Sequence, residues 1–101
     1  MKTLFTERLR KSREEQNLLQ RQLASLLDMD TPLYSKIERG ERIPKKDIVL
    51  KLAKYLKVEE EDLLADWLSD QISKIIKDEK LTKRIVDKSF QKLTSINKPL
   101  L

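Results

Sequence analysis

Basic side chains at short intervals are the residues here best suited to chemistry. Arg39, Arg42, Lys45 and Lys46 lie close together, and such a cluster neutralises phosphates and fixes how a polyanion is held. Bond-making chemistry has much less to work with. The 101 residues contain neither His nor Cys, which removes imidazole bases, thiolates, disulfides and nearly every transition-metal site. Lys, carboxylates and hydroxyls remain, and nothing groups a nucleophile with a base. A catalytic Asp62 and Asp66 pair would need one member buried, yet the amphipathic pattern sets both on the outside. The acidic run from Glu59 to Asp62 suits a helix N-terminus, where free amides carry partial positive charge. Asp62, Asp66 and Asp70 at helical spacing read as a solvated face rather than a metal site. No enzyme, metal or cofactor is expected.

The elements that carry these residues are helices. A chain with one Gly, three Pro, 39% hydrophobic and 39% charged residues has helix formers and almost no turn or strand punctuation, which predicts an all-α fold. Charge is unevenly placed. Residues 1–58 hold 14 Lys and Arg against 8 Asp and Glu, a surplus of +6, whereas residues 59–101 hold 8 against 9, or −1. A polyanion-facing first part and a neutral remainder follow from that asymmetry. The charged start, MKTLFTERLRK, and apolar runs of at most about three residues fit neither a signal peptide nor a membrane span, so a cytoplasmic location is expected.

Periodicity places a first helix over residues 4–16, with Leu4, Phe5 and Leu9 on its apolar stripe, ending near Asn17. A second, over residues 20–27, sets Leu19, Leu23, Leu26 and Leu27 on one side. Asp28 is expected at a positive-φ position in the turn, and Thr31 as the cap of a third helix, since Pro32 suits a first helical position. Gly40, the single Gly, falls where the third helix must end. A fourth helix spans about 45–56, a fifth 60–77 and a sixth 82–94, with a break at Asp78 to Leu81 and a stop at Asn97 to Pro99.

Gln20, Leu23-Ala24, Ser35 and Ile37-Glu38-Arg39-Gly40 together resemble the helix-turn-helix of the phage repressor and Cro-like (XRE) family. The resemblance covers about residues 4–68. It implies a five-helix repressor-like domain that binds double-stranded DNA, with the third helix in the major groove. It further implies an ion pair between Arg13 and Glu38, a phosphate contact from Gln20 with Arg21 beside it, and phosphate contacts from Arg39, Arg42, Lys45 and Lys46. Base contacts fall to Lys36, the one long donor of the third helix before its last turn, with Ser35, Thr31 and Leu33, the last able to meet a thymine methyl. Tyr34 stands where the family keeps an aliphatic core residue, so burial is expected. Three features depart from the pattern, one being the tight turn, which carries Asp28 where the family usually has Gly. Leu19 occupies a cap that usually accepts a hydrogen bond, at a cost of about 1 kcal/mol unless neighbours compensate. Thr31-Pro32-Leu33 fills the usual reading turn without a bidentate donor.

Beyond residue 68 the apolar pattern continues. Leu68, Ile72, Ile75, Ile76, Ile85, Val86 and Phe90 form a surplus that residues 1–68 do not need, so residues 69–101 read as a helical extension serving dimerisation, with the sixth helix folding back as the alternative. The size and plan are similar to controller proteins of restriction-modification systems, and equally to small phage repressors or antitoxins. The expected function is a transcriptional regulator acting as a homodimer on an inverted repeat, with no small-molecule effector. A protein-interaction module or antitoxin on the same scaffold, with weak base readout, is the alternative.

Overall fold

The computed structural model describes residues 3–77 and 79–97. Among them are six helices and no strand: α1 (Leu4–Glu15), α2 (Gln20–Leu26), α3 (Thr31–Glu38), α4 (Lys46–Leu56), α5 (Glu60–Ile76) and α6 (Thr82–Asn97). The expected break at Asp78 to Leu81 is seen at residues 79–81, which are non-helical, while Asp78, Lys98 and Pro99 lie outside the described residues. Two compact units are present, residues 1–71 and residues 72–101.

In the first unit, the interior is made of one stripe from each helix. Phe5 and Leu9 come from α1, Leu23 and Ala24 from α2, Tyr34 and Ile37 from α3, Val49, Leu52, Ala53 and Leu56 from α4, and Leu63 from α5, with Leu27 between α2 and the turn. Removing these side chains from water at roughly 25 cal/mol per Å² is the main force holding five short helices together, since helices of this length are marginal alone. Three expected core residues are not in it: Leu4, Leu19 and Leu26 are exposed. Thr6 takes the inner position instead of Leu4, because the α1 cap is a reciprocal pair in which Thr3 accepts from the Thr6 amide and Thr6 accepts from the Thr3 amide. Leu18, just before α2, packs against the core on the side that Leu19 leaves.

Chain reversals use short polar or flexible residues. Asn17 (φ 57°), Asp28 (φ 54°) and Lys57 (φ 56°) are left-handed, and Gly40 has φ 79°. Lys57 closes α4 at a cost of order 1 kcal/mol for a residue with a Cβ, and the Val58 amide then reaches back to the Ala53 carbonyl at 3.0 Å.

α5 is held to the start of the domain by carboxylates that the sequence pattern assigned to solvent. Asp66 pairs with Arg8 of α1, and the Asp70 carboxylate accepts from the Phe5 amide at 2.9 Å. Both aspartates are half-buried. The period of α5 alone points this stripe outward, and α1 covers part of it. The Trp67 indole N–H donates to the Pro44 carbonyl at 3.0 Å, so α5 also grips the segment between α3 and α4.

The second unit contains the end of α5 and α6. Thr82 donates through its hydroxyl to the carbonyls of Glu79, at 2.6 Å, and Ile76, at 3.2 Å, which ties the two helices at their junction. α6 is longer than periodicity suggested, and none of its described side chains is buried. Val86, Phe90 and Leu93 stand exposed, Phe90 at 65%.

Candidate nucleic-acid interface

Most of the residues expected to meet phosphates and bases lie on α3 and the segment that follows it, with Gln20 and Arg21 at the start of α2. Asp30 rather than Thr31 is the cap: its backbone is extended (φ −75°, ψ 157°) and its side chain accepts from the Leu33 amide at 2.8 Å. Pro32 therefore occupies the second helical position, where its missing N–H is one of the four unpaired amides of a helix start. The consequence is positional. Thr31 lies within the first turn of α3, and its side chain is exposed together with that of Pro32.

One face of α3 is anchored and the other is open. Tyr34, Ile37 and Glu38 are buried. Thr31, Pro32, Lys36 and Arg39 are exposed, with Leu33 and Ser35 half-buried at the edges of that open face. Past Gly40 the chain folds over the end of the helix, with the Glu41 and Arg42 amides donating to the Lys36 carbonyl at 2.8 and 3.3 Å. Arg42, Lys45 and Lys46 follow, all exposed. Lys45 is the extended residue before α4 and Lys46 its first helical one. Arg39 is engaged within the chain, donating to the Ser35 hydroxyl and the Glu41 carboxylate. Arg39 holds that carboxylate below its ordinary pKa.

A buried polar network fixes the tilt of α3. Arg13 grips Glu38 twice, from Nη2 to Oε1 at 2.7 Å and from Nε to Oε2 at 2.9 Å, and donates from Nη1 to the Leu18 carbonyl at 2.8 Å. One guanidinium from α1 thus joins the end of α3 to the entry of α2. Gln20 donates to the same carboxylate at 3.3 Å, so this expected phosphate ligand is half-buried and turned to the network. Arg21 beside it is exposed. Burial works to raise the Glu38 pKa, but the hydrogen bond from Arg13 and the charges around it outweigh that and hold it below the ordinary range. The Tyr34 hydroxyl is enclosed next to this carboxylate without a hydrogen bond of full geometry. Burial first, then Glu38, push its pKa far above that of a free phenol.

α2 starts with half a capping arrangement. Leu19 offers no acceptor, but the Gln22 side chain reaches back and accepts from the Leu19 amide at 2.8 Å. Sequence reasoning missed Arg8, Asp66, Asp70 and Trp67 as the groups that tie α5 to α1 and to Pro44. Their signal was a match of spacing, with Phe5 and Arg8 on one helix facing Asp66 and Asp70 on another at i, i+4. Among the described residues no cluster of metal-binding side chains occurs, and no helix is long and apolar enough to cross a membrane.

Two short helices set by a tight turn, the second anchored on its inner side and bearing its polar groups outward among cations, define a DNA-binding helix-turn-helix regulator. The family model described as "Helix-turn-helix" matches residues 9–63, more than half of the chain, and the chain belongs to that XRE-type, Cro/C1-like family. No curated protein and no solved structure matches it.

Proposed function

We propose that the protein is a sequence-specific transcriptional regulator that binds an inverted-repeat operator as a homodimer. The observation that carries this is the open face of α3, with Lys36 and Thr31 exposed, Leu33 and Ser35 half-buried at its edges, and exposed Arg21, Arg42, Lys45 and Lys46 on the flanking segments. Lys36 serves as the polar base reader and the flanking cations hold phosphates, which sets affinity and register. Arg39 adds a phosphate contact once DNA competes with Glu41 for its guanidinium. Gln20 contributes mainly by holding Glu38.

Dimerisation is supported by apolar surface that the chain leaves open. Leu68, within the first unit, is 50% exposed. In the second, Ile72, Ile75, Val86 and Phe90 are exposed and Ile76 and Ile85 half-buried. A 16-residue helix that buries none of its described side chains needs a cover. Two-fold pairing provides one and presents two recognition helices about 34 Å apart, matching successive major-groove faces. Residues 1–68 then form the DNA-binding domain and 69–101 the dimerisation extension. The protein works in the cytoplasm, without catalysis and without a small-molecule effector.

A second reading, an interaction module or antitoxin that uses the same scaffold with little base readout, draws on Thr31-Pro32-Leu33, which has no long donor. Selection from a pool of random duplexes separates the two. Enrichment of a motif with two inverted halves is expected for the regulator. Recovery of unenriched sequence would favour the interaction module.

A further inference from the structure

We infer, on the footing that α3 reads DNA, that its first turn distinguishes pyrimidines by the C5-methyl group, so that each half-site carries a thymine or a 5-methylcytosine facing Thr31, Pro32 and Leu33. Most other ways of reading are absent from that turn. Asp30 is committed to its cap, accepting from the Leu33 amide. Thr31 and Pro32 are exposed and Leu33 is half-buried beside them, and none has a donor pair able to grip a purine edge. Ser35, one turn on, already receives the Arg39 guanidinium on its hydroxyl. Lys36 is the long donor left on the helix before Arg39, and it belongs to the second turn. The forward part of the open face is thus Thr31, Pro32 and the exposed part of Leu33, with the Thr31 hydroxyl as its one side-chain polar group.

In the major groove the apolar feature of a base pair is the C5-methyl, which thymine and 5-methylcytosine share and cytosine lacks. An apolar turn pressed into the groove gains from covering that methyl and loses from covering a bare polar edge. Removing one methyl-sized group from water is worth about a fourfold change in affinity. The same turn is close to indifferent to the rest of the pyrimidine edge, so cytosine methylation at this position should tighten binding.

The test uses the full chain and the motif enriched from random duplexes. Each thymine of a half-site is replaced singly by deoxyuridine, which keeps the base pair and removes only the methyl. About a fourfold loss is expected at one or two positions. At those positions a cytosine·guanine pair should bind comparably weakly, and 5-methylcytosine should recover most of the loss. Pro32→Ala and Leu33→Ala should each reduce the methyl effect, whereas Lys46→Ala should weaken binding while leaving it intact. Pro32 is exposed, so its variant tests the turn even if Leu33→Ala perturbs folding. Methyl-independent binding at every pyrimidine overturns the inference alone. Loss with deoxyuridine but no recovery with 5-methylcytosine also overturns it, since the thymine edge would then be the feature read. A pool that enriches nothing removes the reading beneath it as well.

Discussion

Glu38 is the residue that ties α3, the proposed recognition helix, to α1 and α2. Its carboxylate is almost wholly enclosed, with 3% of its side chain exposed, and Arg13, Gln20 and the buried face of Tyr34 surround it. A charge this buried is tolerable only while its partner is present. Glu38→Gln should therefore cost about 2 kcal/mol of unfolding free energy in urea at neutral pH, as expected for losing a charge-assisted hydrogen bond. Because the folded-state pKa is depressed, the contribution is fully present above the unfolded value of about 4.3 and is lost as pH falls through the folded one. Wild-type stability should decline on acidification through that window, and the Gln variant should decline less. Equal stability of the two proteins at pH 7 would show that the pair adds nothing beyond its own desolvation. Arg13 and Glu38 were legible in the sequence only through family resemblance, since residues 25 positions apart announce no contact by periodicity.

At the scale of elements, the weak start is α2. Leu19 is exposed at 49% and gives no side-chain acceptor, leaving Gln22 to complete one half of the cap. Leu19→Ser should add about 1 kcal/mol to stability without disturbing the core, read from the urea midpoint at unchanged slope. A neutral result would mean that water or Gln20 already satisfies the first-turn amides. All six helices could be placed from hydrophobic spacing, and Asn17, Asp28 and Gly40 could be recognised as chain reversals, because those signals are local. What spacing could not supply was which helix covers which. Leu4, Leu19 and Leu26 carry the right period yet face water, and Asp66 and Asp70 look solvated yet hold α1. The sequence places the α3 cap one residue too late because Thr31 and Asp30 are both good caps. The contact from Asp30 to the Leu33 amide is a matter of three-dimensional fit. The open face of α3 was legible from family pattern, whereas the engagement of Ser35 and Arg39 with each other was not.

For the molecule as a whole, charge and apolar surface are divided along the chain. The basic surplus of residues 1–58 predicts DNA affinity that falls steeply and linearly with log salt, by a slope near the number of phosphates neutralised. The exposed apolar positions of α5 and α6 predict self-association. The paired change Ile75→Lys with Phe90→Lys, at 78% and 65% exposure, should convert a dimer to a folded monomer in sedimentation velocity and weaken operator binding by at least tenfold, since two half-sites would no longer be joined. A chain already monomeric before substitution would refute the pairing surface while leaving α3 untouched. In the proposed function α3 reads sequence while its surroundings hold phosphate. The most direct test of that reading is the ratio of affinities for the enriched operator and a scrambled duplex, at one salt concentration, for the wild type, Lys36→Ala and Lys46→Ala. The expected result is a large wild-type ratio that Lys36→Ala reduces by about tenfold, the lower end of what a specific base contact confers, and that Lys46→Ala leaves unchanged while both affinities drop. A wild-type ratio near one, or a ratio indifferent to Lys36, would contradict it.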